Sequence, residues 1–346
     1  MFYPFIDYAS SMPRRGRLHI PGGCYHVIGR GLERRDIFDD TADKRDFLSR
    51  FGNSLRRNGA QCLAWAIMSN HYHFLIRTSA QPLGRLMASV LGGFAGNYNR
   101  RHRRSGYVFQ NRFTSILCNE DSYLLELVRY IHLNPVRAKM IDDLSELNEY
   151  PWTGHTGIIG KRRQKWHSVD EVLVHFGKSR RQARRSYIEF IQAGMVATNG
   201  MALSGGGLVR SYGGWESIVR LRKEHISCIG DERILGDSSF VEYVLKEDEI
   251  AIESKSRLMQ DGWNLGKLIV YVCERCKVEQ SDLLRRSRED TVSEAKALIC
   301  YLGAEKLGLK SRKIAEQLGI SRPAVSKWIS KGREIGREED WLDPFG

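Results

Sequence analysis

Residues 22–30 read GGCYHVIGR, where apolar and polar positions alternate well enough for a strand, and Gly31 then turns the chain. After Asp39-Asp40-Thr41 the period lengthens. Phe47, Leu48, Phe51 and Leu55 recur at helical spacing, up to an Asn58-Gly59 stop. Residues 61–68 are apolar and strand-like, Ser69-Asn70 forms a two-residue turn, and residues 71–77 return as the partner strand. Pro82 opens a second helix whose buried stripe is Leu83, Leu86, Met87, Val90, Leu91, Phe94 and Tyr98. GYVFQNRFTSILC at 106–118 predicts a fourth strand. The order β-α-β-β-α-β is the ferredoxin-like split motif, an antiparallel sheet with two helices on one face. LLELVRYIHLNPVRAKM then predicts an added helix ending near Asn134-Pro135.

Beyond Trp152 the pattern shifts to basic helix and then to a Gly-rich turn at 204–207. A helix is expected near 215–221, with Trp215, Ile218, Val219 and Leu221 inward. Helices follow at 265–272, 281–284 and 295–307. SRKIAEQLGISRPAVSKWISKG then places Ser311 as a cap, Ile314, Ala315 and Leu318 inward, and a tight turn at Gly319. A second helix begins at Arg322-Pro323, held by Ile320, Val325 and Trp328. That pattern predicts a helix-turn-helix, although an unrelated helical hairpin would share it. The fold class is therefore α+β: a ferredoxin-like domain with an extra helix at 13–160, a basic helical linker region at 161–255, and an all-α helix-turn-helix domain at 256–342.

Composition adds a partner. The net charge is +13, and the excess is clustered at Arg100, Arg101, Arg103 and Arg104, at 161–165, and at 180–185. Clustered cations point to a polyanion, most often nucleic acid, with solvated helix faces as the plainer reading. In the second helix of the carboxy-terminal motif, Ser321, Arg322, Ser326, Lys327 and Lys331 are placed to reach bases and phosphates of duplex DNA. Seven cysteines spread along the chain do not form a disulfide framework, which favours a reducing cytoplasm. Cys273 and Cys276 form one C-x-x-C without a second pair, on a stretch that reads as helix. No segment is apolar enough for a signal peptide or a membrane span. Because Met12 begins MPRRGR, the first eleven residues read as an upstream-start extension.

The chemistry centres on MSNHYHFLI at 68–76. On a strand, His71 and His73 share one face while Tyr72 and Phe74 take the other. On the later helix, Tyr130 and Asn134 stand one turn apart on one face. Two imidazoles and an amide oxygen make a mixed N/O site with open positions, suited to a divalent cation that also holds substrate oxygens. A phenol beside such a cation is a candidate nucleophile at phosphorus. There is no phosphate-cradling glycine loop of the Walker type. Each element also has an ordinary use: an isolated H-x-H is often a satisfied core pair, and Asn134 before Pro135 suits a helix C-cap. Tyr123, seven residues before Tyr130, competes for the nucleophile's place. His26 and His132 are further candidate ligands, with His132 expected to point away from the Tyr130 face.

These motifs carry a family resemblance. MSNHYHFLI resembles the histidine-hydrophobic-histidine motif of single-tyrosine HUH transposases. RYIHLNPVRAKM resembles their nucleophile helix, particularly that of the REP-associated tyrosine transposases within the insertion-sequence group. RLHIPGGCYHVIGRGLERRDIFDDTADKRDFL, GYVFQNRFTSI and YPWTGHTGIIG are similar to further family segments, so the likeness covers roughly residues 13–160. The order, with the tyrosine after the histidines, is that of transposases and replication initiators rather than plasmid relaxases. The resemblance implies a nuclease that cleaves single-stranded DNA near hairpins, leaving a 5′-phosphotyrosine and a free 3′-hydroxyl. Tyr130 would be the nucleophile, and His71, His73 and Asn134 the ligands of Mg or Mn. Tyr72 departs from the family's plain hydrophobe. Residues 234–245 resemble a joining segment of longer members. The stretch at 294–319 is similar to the duplex-binding domain of DnaA initiators, although ISRPAVSKW departs from that family's signature. The expected protein is a cytoplasmic, nucleoid-associated DNA transposase and endonuclease, monomeric or homodimeric. Its rivals are a catalytically silent DNA-binding regulator on the same fold and a metal hydrolase of small molecules, which the basic charge fits poorly.

Overall fold

The computed structural model of the chain describes residues 16–196, 229–284 and 290–338. The expected helix near 215–221 and the amino-terminal extension lie outside the described residues. The chain divides into two units, Met1–Leu245 and Lys246–Gly346.

The first unit is a mixed α/β structure built on a five-stranded sheet of order β2-β3-β1-β4-β5. The strands are β1 Cys24–Arg30, β2 Gln61–Ile67, β3 His71–Arg77, β4 Thr114–Cys118 and β5 Ile234–Leu235. The first four pair antiparallel, and β5 joins β4 in parallel. The helices are α1 Thr41–Asn58, α2 Leu83–Arg101, α3 Glu120–His132, α4 Asn134–Arg137, α5 Leu144–Glu149, α6 His155–Ile158, α7 Val169–Leu173 and α8 Arg180–Val196. Local chemistry sets their ends. The Asp40 carboxylate accepts from the backbone N–H groups of Ala42 and Asp43 to start α1, and Gly59 stops it at φ +59°.

The period-two alternation of β3 divides the core. Tyr72, Phe74 and Ile76 pack with Phe47 and Phe51 of α1 and Phe94 of α2. Leu75 packs on the opposite face with Leu124, Leu127, Val128 and Ile131 of α3 and with Ala183, Tyr187 and Ile191 of α8. The phenol of Tyr72 has a specific accommodation: it stands opposite Gly29 in the β1–β3 register. A Cβ at position 29 would lie 2.2 Å from the Tyr72 hydroxyl. Glycine thus makes room for the Tyr72 hydroxyl.

Three segments depart from expectation. The fourth strand is shorter than 106–118, because residues 106–113 cross the end of β1, where Phe109 bridges Gly31. Residues 161–196, expected as linker, contribute α7 and α8 to the first unit, since the arginine-rich α8 also carries the apolar stripe Ala183, Tyr187 and Ile191. Residues 234–245, expected as a joining segment, supply β5 and bury Val241 and Val244 in the α1/α2 core.

Helix α9 Ser238–Gln260 contains the division between the units. The second unit then has α10 Leu265–Cys276, α11 Asp290–Tyr301, α12 Ser311–Gln317 and α13 Arg322–Glu338. Cys273 and Cys276 both lie on α10, and neither is in a disulfide among the described residues. A π-helical turn at Leu302–Lys306 interrupts the single helix expected at 295–307. Ser311 is the first residue of α12 rather than its cap: Lys310 holds that position without a side-chain cap bond. Gly319, at φ +62°, makes the turn into α13, and Ile314, Ala315, Leu318, Val325 and Ile329 are buried together.

One glycine carries a stability prediction. A Cβ on Gly154 would lie 2.7 Å from His132 Nε2, 2.9 Å from His167 Cε1 and 2.9 Å from Trp65 Cδ1, all on buried rings. Gly154→Ala is therefore expected to cost about 1–3 kcal/mol by overpacking. Urea unfolding checks it, and an unchanged midpoint would show that the rings yield freely.

Candidate catalytic site

Strand β3 places His71 and His73 on the α3 face of the sheet, with ring centroids 5.3 Å apart. Tyr130, in the last turn of α3, stands edge-on to His73 at 5.9 Å and to His26 of β1 at 5.8 Å. Asn134, the first residue of α4, donates from Nδ2 to the Tyr130 carbonyl at 3.3 Å, and its side chain lies near His71, where it favours that ring's protonated form. The two histidines, the tyrosine and the asparagine singled out in the sequence thus meet although the strand and the helix are far apart in the chain.

A hydrogen bond sets the tautomer of His71. Asn70 donates from Nδ2 to the Arg34 carbonyl, so its Oδ1 accepts from His71 Nδ1 at 2.6 Å. His73 Nδ1 lies 2.9 Å from His26 Nε2. With a proton on Nδ1 of each ring, both His71 and His73 keep an Nε2 lone pair. Burial lowers the pKa of both rings, His73 well below the usual imidazole range, with His26 and His71 adding to the effect there. Neutral imidazole is the ligating form. Two such rings and an amide oxygen therefore fit a divalent cation by donor chemistry.

Two neighbours complete the arrangement. His26, weighed in the sequence as a ligand, holds His73 through Nδ1 instead. Arg137 was not foreseen: its guanidinium lies over the Tyr130 ring at 4.8 Å. The signal was present, since residues seven apart share a helix face, but the break between α3 and α4 obscured it.

His132 points away, as expected, into a separate buried network. Asn148 Oδ1 accepts from His155 Nε2 at 2.8 Å. The His155 Nδ1 lone pair then takes the Tyr187 O–H at 2.9 Å, and Tyr187 oxygen accepts from His132 Nδ1 at 2.7 Å. His167 donates from Nε2 to the Leu63 carbonyl at 3.2 Å. His132 Nε2 and His167 Nδ1 are buried without a partner. Burial holds His155 and His167 down to about 4, and His132 well below its usual value. The unfolded chain therefore binds more protons between pH 6.5 and about 4, so stability is complete above that window and falls as pH falls through it. We expect a loss on the order of 2 kcal/mol per imidazole between pH 7 and pH 5. Urea melts at the two pH values check it, and equal midpoints would contradict it.

Among the described residues Asp39, Asp43 and His102 also cluster closely enough to hold a cation. That group is already tied together: Asp43 accepts from Arg101 and His102, and Arg101 also binds Asp40. It joins the start of α1 to the end of α2, without either β3 histidine.

The cations expected to meet DNA divide. Arg100 and Arg103 are exposed. Arg101 is held by Asp40 and Asp43, and Arg104 lies over Tyr98 at 5.5 Å. Ser321, just before α13, and Arg322, Ser326 and Lys327 on it are exposed, whereas Lys331 donates to Ser293 Oγ at 2.9 Å. Among the described residues no helix is long and apolar enough to cross a membrane.

No curated protein matches the chain by sequence. Solved structures similar to it include two transposases. One is a REP-associated tyrosine transposase bound to a REP hairpin, 13% identical, spanning 45% of this chain and 98% of its own length at a TM-score of 0.36. The other, assigned as a candidate transposase of Deinococcus radiodurans R1, is 17% identical and spans 34% of this chain and 95% of its own at 0.25. Residues 21–134, which include β1 to β4, His71, His73, Tyr130 and Asn134, match the family described as Transposase IS200 like.

Proposed function

We propose that this chain is a transposase of the single-tyrosine HUH type: a metal-dependent endonuclease and strand transferase acting on single-stranded DNA near hairpins. The observation that supports it most is the meeting of Tyr130 with His71, His73 and Asn134. The IS200-like match of residues 21–134 supports the same reading. We read the β-α-β-β-α-β order of the first unit as a ferredoxin-like nuclease domain, and α12 and α13 as a helix-turn-helix whose exposed α13 side chains read duplex DNA.

His71, His73 and Asn134 would hold Mg or Mn, which when bound supplies positive charge beside the scissile phosphate. The Tyr130 oxygen gives up its proton to solvent and attacks phosphorus, a new P–O bond to tyrosine forms, and the bond to the 3′-oxygen breaks. That oxygen leaves and takes up a proton as a 3′-hydroxyl. The phosphate ester is conserved in the 5′-phosphotyrosine, so a second 3′-hydroxyl can reverse the step without ATP. His26 acts as a positioning residue, fixing the His73 tautomer, and Arg137 lies over the phenol ring as a fixed cation. The basic clusters track phosphates, and the setting is cytoplasmic and nucleoid-associated.

The test is incubation of the chain with a hairpin-bearing oligonucleotide and Mn. A denaturation-resistant protein–DNA adduct is expected. Binding without cleavage under the same conditions would assign the fold to a silent regulator.

A further inference from the structure

A cleft of about 670 Å³ lies between α1 and the segment 151–167. The volume falls within the ~300–1,000 Å³ range of small-ligand sites. Its lining includes Trp152 and Trp166, the rings of Trp65 and His167, and the guanidinium-bearing Arg45 and Arg162. Both arginines are exposed, and neither makes a salt bridge among the described residues. Trp166 lies 5.4 Å from Trp65 and 5.2 Å from Phe51 in an aromatic wall, and Lys44 Nζ stands 5.2 Å from the Trp152 ring.

Behind the lining, two buried hydrogen-bonding groups go unused. Trp65 Nε1 and His167 Nδ1 are buried with no partner, on residues only 2% and 7% exposed. Because His167 donates from Nε2 to Leu63, its Nδ1 is an acceptor, whereas Trp65 Nε1 is a donor. The two rings meet beside Gly154, where a Cβ would lie 2.9 Å from each. Indoles for a flat ring and two guanidiniums without carboxylate partners for an anion together describe one ligand class: a nucleotide.

We propose that this cleft is a nucleotide subsite that receives one unstacked nucleotide of the DNA strand. Its base lies against Trp152 and Trp166, and its phosphate is held by Arg45 and Arg162. The DNA origin of the nucleotide rests on the transposase reading, while the subsite itself is tested without cleavage.

The full chain in EDTA, which removes the cation of the catalytic site, is titrated calorimetrically with each of the four deoxynucleoside monophosphates, with deoxyribose 5-phosphate and with inorganic phosphate. Saturable one-to-one binding of at least one mononucleotide is expected, tenfold or more tighter than either base-free probe. Arg162→Ala and Arg45→Ala, both at exposed positions, are each expected to weaken it about tenfold. Trp152→Leu is expected to remove the advantage over deoxyribose 5-phosphate. On a hairpin carrying 2-aminopurine, the fluorescence rise of an unstacked base should appear at one position and shrink in Arg162→Ala. Absence of mononucleotide binding, equal binding of inorganic phosphate, or indifference to both arginine substitutions would overturn the subsite. An adduct on Tyr130 with no mononucleotide binding removes the subsite alone. Mononucleotide binding with no adduct removes the transposase reading alone.

Discussion

Tyr130→Phe is expected to bind a hairpin oligonucleotide as wild type does and to lose cleavage by on the order of 10⁴-fold or more, the scale of removing a covalent nucleophile. The phenyl ring keeps the edge contacts that the phenol makes with His26 and His73, so folding should not change. Only the attacking oxygen is lost. Gel analysis of nicked product and of covalent adduct in parallel reads both effects. Retained cleavage in this variant would transfer the role to another group, with Tyr123, seven residues earlier on α3, the first to examine.

The second large effect concerns the three donors. Removal of divalent ions by EDTA should stop cleavage, and added Mn should restore it. His73→Ala should lower cleavage by roughly 10²–10³-fold, comparable to losing one preorganised electrostatic contact to the reacting centre. Its Nε2 remains for the cation because Nδ1 is taken up at 2.9 Å by His26. His26→Ala should be milder, about 10–100-fold in Mn affinity, as for other residues that orient a ligand from behind. The electron paramagnetic resonance signal of titrated Mn reads affinity directly, separately from activity. If His26→Ala left Mn affinity unchanged while His73→Ala abolished it, His26 would be a packing residue only.

Much of the site could be read along the chain because strand alternation is strict. Once residues 71–77 are a strand, His71 and His73 share a face and Tyr72 must take the other, where it packs against Phe47. The spacing of Tyr130 and Asn134 was legible in the same way, although a helix break falls between them. What the pattern hid was long-range pairing. The bond between His26 and His73 depends on β1 lying beside β3, 47 residues apart in sequence, and no local period reports that. The fifth strand is only two residues, Ile234–Leu235, too short to leave a periodic trace. Helix α8 was misplaced because its arginines dominate its composition while three buried side chains decide where it packs. The nucleotide cleft was likewise invisible: its aromatic and basic residues come from α1, β2 and the segment 151–167, and only the fold assembles them.

The most direct measurement of the central claim is a tryptic map of the trapped protein–DNA adduct by mass spectrometry. Cleavage after Arg112, Arg129 and Arg137 puts Tyr130 on the peptide YIHLNPVR and Tyr123 on FTSILCNEDSYLLELVR. The account predicts a nucleotide-bearing YIHLNPVR peptide with phosphate esterified to Tyr130. A nucleotide found instead on the peptide carrying Tyr123, or cleaved DNA with no modified peptide, would contradict it.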